Sequence, residues 1–228
     1  MILFHGSSDI IVKPRYGLGK KYNDYGLGFY CTKEIELAKE WSVDSGRSGY
    51  ANEYELPENG LEILDLGSEE YTILSWLAIL IDNRKFDIQS DFGNEAKKYI
   101  LDTFRPEYEK FDLIKGYRAD DSYFSFAQDF LNNLISIKTL NQAMSLGKLG
   151  QQYVLKSEKS FDVIEFVGSH IADKNEYFPL KEKRDRAARN AYFELRRKPW
   201  QRGETYIMNI IDEELKSEDV RIRLQSVL

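Results

Sequence analysis

Apolar and polar positions in this chain switch repeatedly between a two-residue and a three-to-four-residue period, and the switches mark its elements. Met1-Ile2-Leu3-Phe4 is a short apolar run that predicts a buried strand, with His5 and Gly6 at its end. Phe29-Tyr30 predicts a second short strand after Gly26-Leu27-Gly28, where the two glycines bracket a turn or a close backbone approach. Thr32 then suits a helix N-cap, with Glu34 in the first turn and Ile35, Ala38 and Trp41 at helical spacing. Tyr54 and Leu56 on one side of Pro57-Glu58-Asn59-Gly60, with Leu61, Ile63 and Leu64 on the other, predict a hairpin over residues 50–66. Helices are expected near 69–82, 93–104, 122–134 and 138–147, and strands over 111–119 and 151–155. Phe161, Ile164, Glu165 and Phe166 predict one more helix.

Composition narrows the class. A chain of 228 residues that is 42% hydrophobic can bury one sizeable core, and one compact unit is expected. Cys31 is the only cysteine, which excludes an internal disulfide and a cysteine-rich metal cluster and makes the cytoplasm the default setting. It reads as core filler rather than a nucleophile. The two histidines, His5 and His170, are far apart and no ligand spacing accompanies them, so no metal is expected. The first apolar stretch lacks the length and basic start of a secretory signal, and the patch over 71–81 is too short to span a bilayer, so no membrane partner is expected.

Charge divides the chain unevenly. Residues 181–202 carry nine Lys or Arg against three Asp or Glu, while the whole chain is at −6. With Tyr192, Phe193 and Trp200 interleaved, this stretch can follow a phosphate backbone, bind a diphosphate or dock an acidic partner. It equally fits a solvated amphipathic helix with Ala188, Tyr192 and Leu195 inward.

The order of these signals carries a resemblance. Phe4-His5-Gly6-Ser7, then Gly26-Leu27-Gly28-Phe29-Tyr30-Cys31-Thr32 and its helix, resemble the ADP-ribosyltransferase superfamily, in its branch with poly(ADP-ribose) polymerases. Residues 111–119, Asp120-Asp121, the aromatic helix after them, Gln151-Gln152-Tyr153-Val154-Leu155 and Ser157-Glu158-Lys159 extend it. Together they are similar to a bacterial family of uncharacterised domains assigned to that superfamily, over roughly residues 1–170.

The resemblance implies an α+β fold with a split mixed β-sheet core and flanking helices. Its domain would cover residues 1–168, with a helical insertion at about 69–104 and a basic, mostly helical extension at 169–228 packed on the core. It implies NAD as substrate and no metal, with His5, Gly6, Ser7, Gly28, Phe29 and Tyr30 forming the binding cleft. In that cleft His5, whose imidazole can donate to a ribose hydroxyl, would contact the nicotinamide ribose or the adenosine side of NAD, Gly6 would hold the carboxamide and Tyr30 would stack on the nicotinamide ring. Gln152 falls at the third catalytic position, where active members often carry Glu to stabilise an oxocarbenium-like transition state. An amide bonds the hydroxyl without adding charge, so Gln151 in register, or Asp120 or Asp121, stands as an alternative source of catalysis. The Asp pair also reads as a helix cap.

The chemistry so implied is cleavage of the nicotinamide–ribose bond, with ADP-ribose passed to a protein or nucleic-acid acceptor. The implied settings are a bacterial toxin, effector or phage-defence component, with an antitoxin or regulatory protein as a further partner. An NAD glycohydrolase and a binding module without turnover are the alternatives.

Overall fold

A computed structural model of the protein describes residues 1–118, 121–199 and 201–226; the side chains of residues 121–123 and 147 lie outside that description. In chain order the elements are β1 (Ile2–Ser7), β2 (Phe29–Cys31), α1 (Ile35–Ser42), β3 (Gly49–Glu55), β4 (Ile63–Asp65), α2 (Ile73–Asn83) and α3 (Asp91–Phe104). They continue with β5 (Leu113–Tyr117), α4 (Asp121–Leu131), α5 (Ile137–Ser145), β6 (Gln151–Leu155), α6 (Glu158–Val163), β7 (Glu165–Ala172), α7 (Lys174–Arg196), α8 (Ile207–Asp212) and α9 (Val220–Ser226). The fold is α+β.

The strands form two sheets. One is antiparallel in the order β1-β3-β7, and the other runs β2-β6-β5-β4, antiparallel except for the parallel pair β4 and β5. Among the described residues one bridge joins them: the Phe4 N–H donates to the Thr32 carbonyl at 2.7 Å, and the Thr32 N–H to the Phe4 carbonyl at 2.9 Å. Beyond that bridge the sheets part.

Two apolar clusters explain the parting. Leu3, Phe29, Cys31, Tyr54, Leu56, Leu113, Tyr153 and Leu155 pack between the sheets. The opposite face of the second sheet, through Ile114 and Val154, packs on α2, whose residues from Ile73 to Ile81 are all buried. A helix apolar all round belongs in an interior, which accounts for the patch over 71–81. Among the described residues no helix is long and apolar enough to cross a membrane.

Several expectations are corrected. β3 and β4 form no hairpin. β3 lies between β1 and β7, while β4 pairs with β5, because the seven residues of β3 gain two long ladders that a local turn cannot offer. Phe166 belongs to β7, since α6 ends at Val163. Thr32 is not an N-cap; its backbone is spent on the bridge, its Oγ1 accepts from the Glu34 N–H at 3.1 Å, and α1 begins one residue later.

The C-terminal segment shares the core. β7 runs across the expected boundary at residue 168, and Tyr192, Ile207, Ile210, Leu215 and Ile222 join the cluster around α2. On α7 Ala188 and Tyr192 are buried, as an amphipathic helix requires, and Arg184 makes a two-point pair with Glu40 of α1 at 2.8 and 2.9 Å. Phe193 is exposed, and Trp200 lies outside the described residues.

Candidate active site at the parting of the sheets

The strand β1 places Phe4 and Gly6 on one edge and one face, and His5 on the other face. Were the ladder to continue from the Phe4–Thr32 bridge, the next hydrogen-bonded pair would be Gly6 and Tyr30. Instead the imidazole of His5 reaches the Tyr30 carbonyl, with Nδ1 at 2.7 Å from the oxygen. Among the described residues, the N–H and carbonyl of Gly6 on this edge therefore make no ladder bond to β2. A Cβ on Gly6 would collide with the Ala38 carbonyl of α1, so close helix packing is sufficient to demand glycine there.

The partner of His5 settles its tautomer. A carbonyl only accepts, so Nδ1 carries the proton and the neutral ring leaves Nε2 with a lone pair. Burial holds the His5 pKa below its ordinary 6.5, against the opposing effect of the Tyr30 carbonyl. The free Nε2 of a neutral His5 can therefore accept a hydrogen bond, whereas the sequence suggested a donor. Its ring stacks on Phe29, with centroids 4.2 Å apart. Phe29 is itself buried against Tyr54 and Phe161, so it supports His5 from within the core.

Tyr30 points the other way, packing half-buried against the α2 cluster. Its hydroxyl donates to the Gly26 carbonyl at 2.5 Å and accepts from the Tyr25 N–H at 3.1 Å. Burial raises its pKa far above the ordinary tyrosine value, so it stays protonated. Gly26 adopts φ +70°, a conformation that favours glycine, whereas Gly28 is pressed against Val154 and the Leu155 carbonyl. Lys156 fastens this glycine loop by donating to the carbonyls of Tyr25 and Leu27, and burial lowers its pKa to about 8.

Gln152 shares the face of Tyr30, because Tyr30 pairs with Val154 and Gln152 is two residues along β6. It is buried, and its Oε1 has no hydrogen-bond partner among the described residues. Such an unspent polar group is costly in a folded core and asks for an explanation. Gln151 lies on the opposite face of β6 and is exposed. Asp120 lies outside the described residues; Asp121 begins α4, and its side chain lies outside them too.

Three polar devices escaped the sequence reading. Asn52, fully buried, donates to the His5 carbonyl, to Ser7 Oγ and to the Asp9 carbonyl at 3.3, 3.1 and 3.2 Å, and accepts from the Ile11 N–H. It fixes Ser7 and the exit of β1 beside His5. Asp24 and Arg84 form a pair at 2.9 Å near the Tyr30 hydroxyl, with Asp24 buried. The Arg118 guanidinium, at the end of β5, lies 3.7 Å over the Trp41 ring of α1. Only the glycine punctuation near Asp24 and the helical spacing of Trp41 hinted at any of these.

Cys31 is fully buried and burial pushes its thiol pKa upward, which disfavours the thiolate. Among the described residues, no group of three or more His, Cys, Asp or Glu is placed to hold a metal ion.

Residues 1–166 match the family described as Protein of unknown function (DUF3990). The chain belongs to the DUF3990 family. The matched span takes in β1, β2 and β6, and so His5, Gly6, Tyr30 and Gln152. Neither a curated protein nor a solved structure matches the chain.

Proposed function

We propose that the protein is an NAD-dependent mono-ADP-ribosyltransferase that cleaves the nicotinamide–ribose bond and passes ADP-ribose to a protein or nucleic-acid acceptor. The observation that carries this reading is the parting of β1 from β2 at Gly6, where His5 has taken the Tyr30 carbonyl that the Gly6 N–H would otherwise hold. A donor and an acceptor side by side on an open strand edge suit a planar carboxamide, whose own N–H and C=O match them.

In this reading Gly6 orients nicotinamide, the Nε2 of His5 accepts from a ribose hydroxyl, and the Tyr30 ring bounds the site on its other side. The resemblance gives the ribose 2′-hydroxyl to the Gln152 amide, which is buried on the Tyr30 face of the sheet, opposite the face on which His5 stacks with Phe29, so this contact requires the sugar to reach round the strand edge. The leaving nicotinamide departs neutral from a positively charged ring, so the bond breaks without an acid, and positive charge develops on the sugar. Positioning and water exclusion are what the site must supply. The bacterial toxin or defence setting and a cytoplasmic location belong to the same proposal.

One observation favours the reading without turnover: Gln152 is buried and uncharged, so it offers the developing cation a dipole only. Nicotinamide release from NAD by wild type and His5→Ala, with and without bacterial lysate, separates the readings. Release that requires His5 and rises with lysate supports transfer. Release indifferent to lysate supports hydrolysis, and none supports a binding module.

A further inference from the structure

One cavity has neither His5 nor Tyr30 in its lining. It encloses about 670 Å³ beyond the ends of β4 and β5, and its walls come from the β4–α2 and α5–β6 connections and from α9. That size admits a nucleotide-sized ligand.

Its polar character is one-sided. The N-terminus of α2, eleven residues long, opens on this wall with no acidic residue in its first turn. The first N–H groups of a helix lack partners within it and attract anions. Thr72, the N-cap, lines the cavity and is only 4% exposed, yet its Oγ1 has no hydrogen-bond partner among the described residues. Thr72 and Ser75 stand at capping-box positions, but the Ser75 N–H donates to the Thr72 carbonyl at 3.0 Å and leaves the hydroxyl unspent.

Two cations face the same space. Lys148 is exposed, held by a left-handed backbone with φ 48°, and makes no ion pair among the described residues. Arg223 donates to the Glu69 backbone carbonyl at 2.8 Å rather than to a carboxylate. Glu69 also lines the wall, and among the described residues its carboxylate forms no ion pair with Lys148 or Arg223. Tyr71 and Leu149 supply an apolar side against which a flat ring can lie.

We propose that this cavity binds a phosphate-bearing ligand of nucleotide size, with the phosphate at the α2 N-terminus between Lys148 and Arg223 and the base toward Tyr71. The inference stands on this cavity, whose lining also includes Gln151, and does not depend on the roles proposed for His5, Tyr30 and Gln152.

Equilibrium dialysis at low salt tests it, with adenosine 5′-monophosphate, adenosine and inorganic phosphate as probes. The proteins are wild type, the double variant Lys148→Gln/Arg223→Gln, Thr72→Val and His5→Ala. The monophosphate should bind saturably and adenosine and inorganic phosphate each at least about tenfold more weakly, since a charge-assisted contact or a ring contact is lost. The double variant, which alters two exposed side chains, should lose about tenfold and His5→Ala nothing. Thr72→Val should lose several-fold, with thermal melting checking that α2 still folds. No saturation at low-millimolar monophosphate would overturn the proposal. So would binding unaffected by the double variant, binding lost in His5→Ala, or phosphate or adenosine binding as tightly as the monophosphate.

Discussion

His5 Nδ1 donates to the Tyr30 carbonyl at 2.7 Å and thereby occupies a hydrogen-bonding position that regular sheet geometry assigns to Gly6. One side chain both opens the strand edge and fixes which ring nitrogen faces outward.

Replacing His5 with Ala should weaken NAD binding by roughly 1 to 3 kcal/mol, the range for a hydrogen bond to a partly buried partner. Isothermal titration calorimetry reads this directly. Wild-type affinity would falsify the assignment of this gap as the nicotinamide–ribose site.

The same residue predicts a pH dependence. Its folded pKa lies below 6.5, so as the pH falls the unfolded chain takes up the proton first. Stability contributed by neutral His5 is therefore complete above about pH 6.5 and is lost as the pH falls toward the folded pKa. Urea midpoints across that window should decline more steeply for wild type than for His5→Gln; parallel declines would show that His5 is not the group responsible.

Tyr30 separates scaffold from stacking face. Tyr30→Phe removes the bonds to Gly26 and Tyr25 and should cost about 1 kcal/mol of stability while keeping most NAD affinity. Tyr30→Ala should lose roughly 1 to 3 kcal/mol of binding as well. Equal binding by the two variants would mean that the ring is not used.

At Gln152 stability and turnover should move in opposite directions. Gln152→Glu buries a carboxylate and should lower the unfolding midpoint, yet raise nicotinamide release if a charge is what the third position lacks. Gln152→Leu relieves an unpaired polar atom, so it should fold at least as well while losing activity. Unchanged release in both would move the catalytic role to Asp120 or Asp121.

Lys156 gives a stability effect of the opposite pH sense. Its pKa falls from 10.5 unfolded to about 8 folded, so the cost of burying its charge is felt in full below pH 8 and lifts as the pH rises toward 10.5. A neutral amine still has two N–H groups for the carbonyls of Tyr25 and Leu27. Relative to Lys156→Met, wild type should gain roughly 1 to 3 kcal/mol between about pH 8 and 10 by chemical denaturation. A constant difference would show that the ammonium is well solvated.

Much of the scaffold was legible because its signals are local. The runs over 111–119 and 151–155 and the helical stretches near 69–82 and 93–104 locate β5, β6, α2 and α3 without reference to the rest of the chain. The failed hairpin shows the limit. Tyr54 and Ile63 flank a good turn sequence, but their partners are the remote residues Leu3 and Leu113, and nothing near either residue announces a long-range pairing. His5, Tyr30 and Gln152 could be picked out as a motif. Asn52, Asp24 and Lys156 could not, because a polar residue acquires its role only when burial decides which carbonyls and loops it must satisfy. Gly6 and Gly28 were read as room for a ligand; Ala38 and Val154 supply a packing reason for each.

The family match stops at residue 166, inside β7, and that strand covers the outer flank of β3. A polypeptide ended at that point would leave β3 without β7 partners from Gly49 to Glu53, an unpaired edge of the kind that recruits strands from neighbouring molecules. The residues after 166 therefore complete both the sheet, through the rest of β7, and the core, through Tyr192, Ile207, Ile210, Leu215 and Ile222.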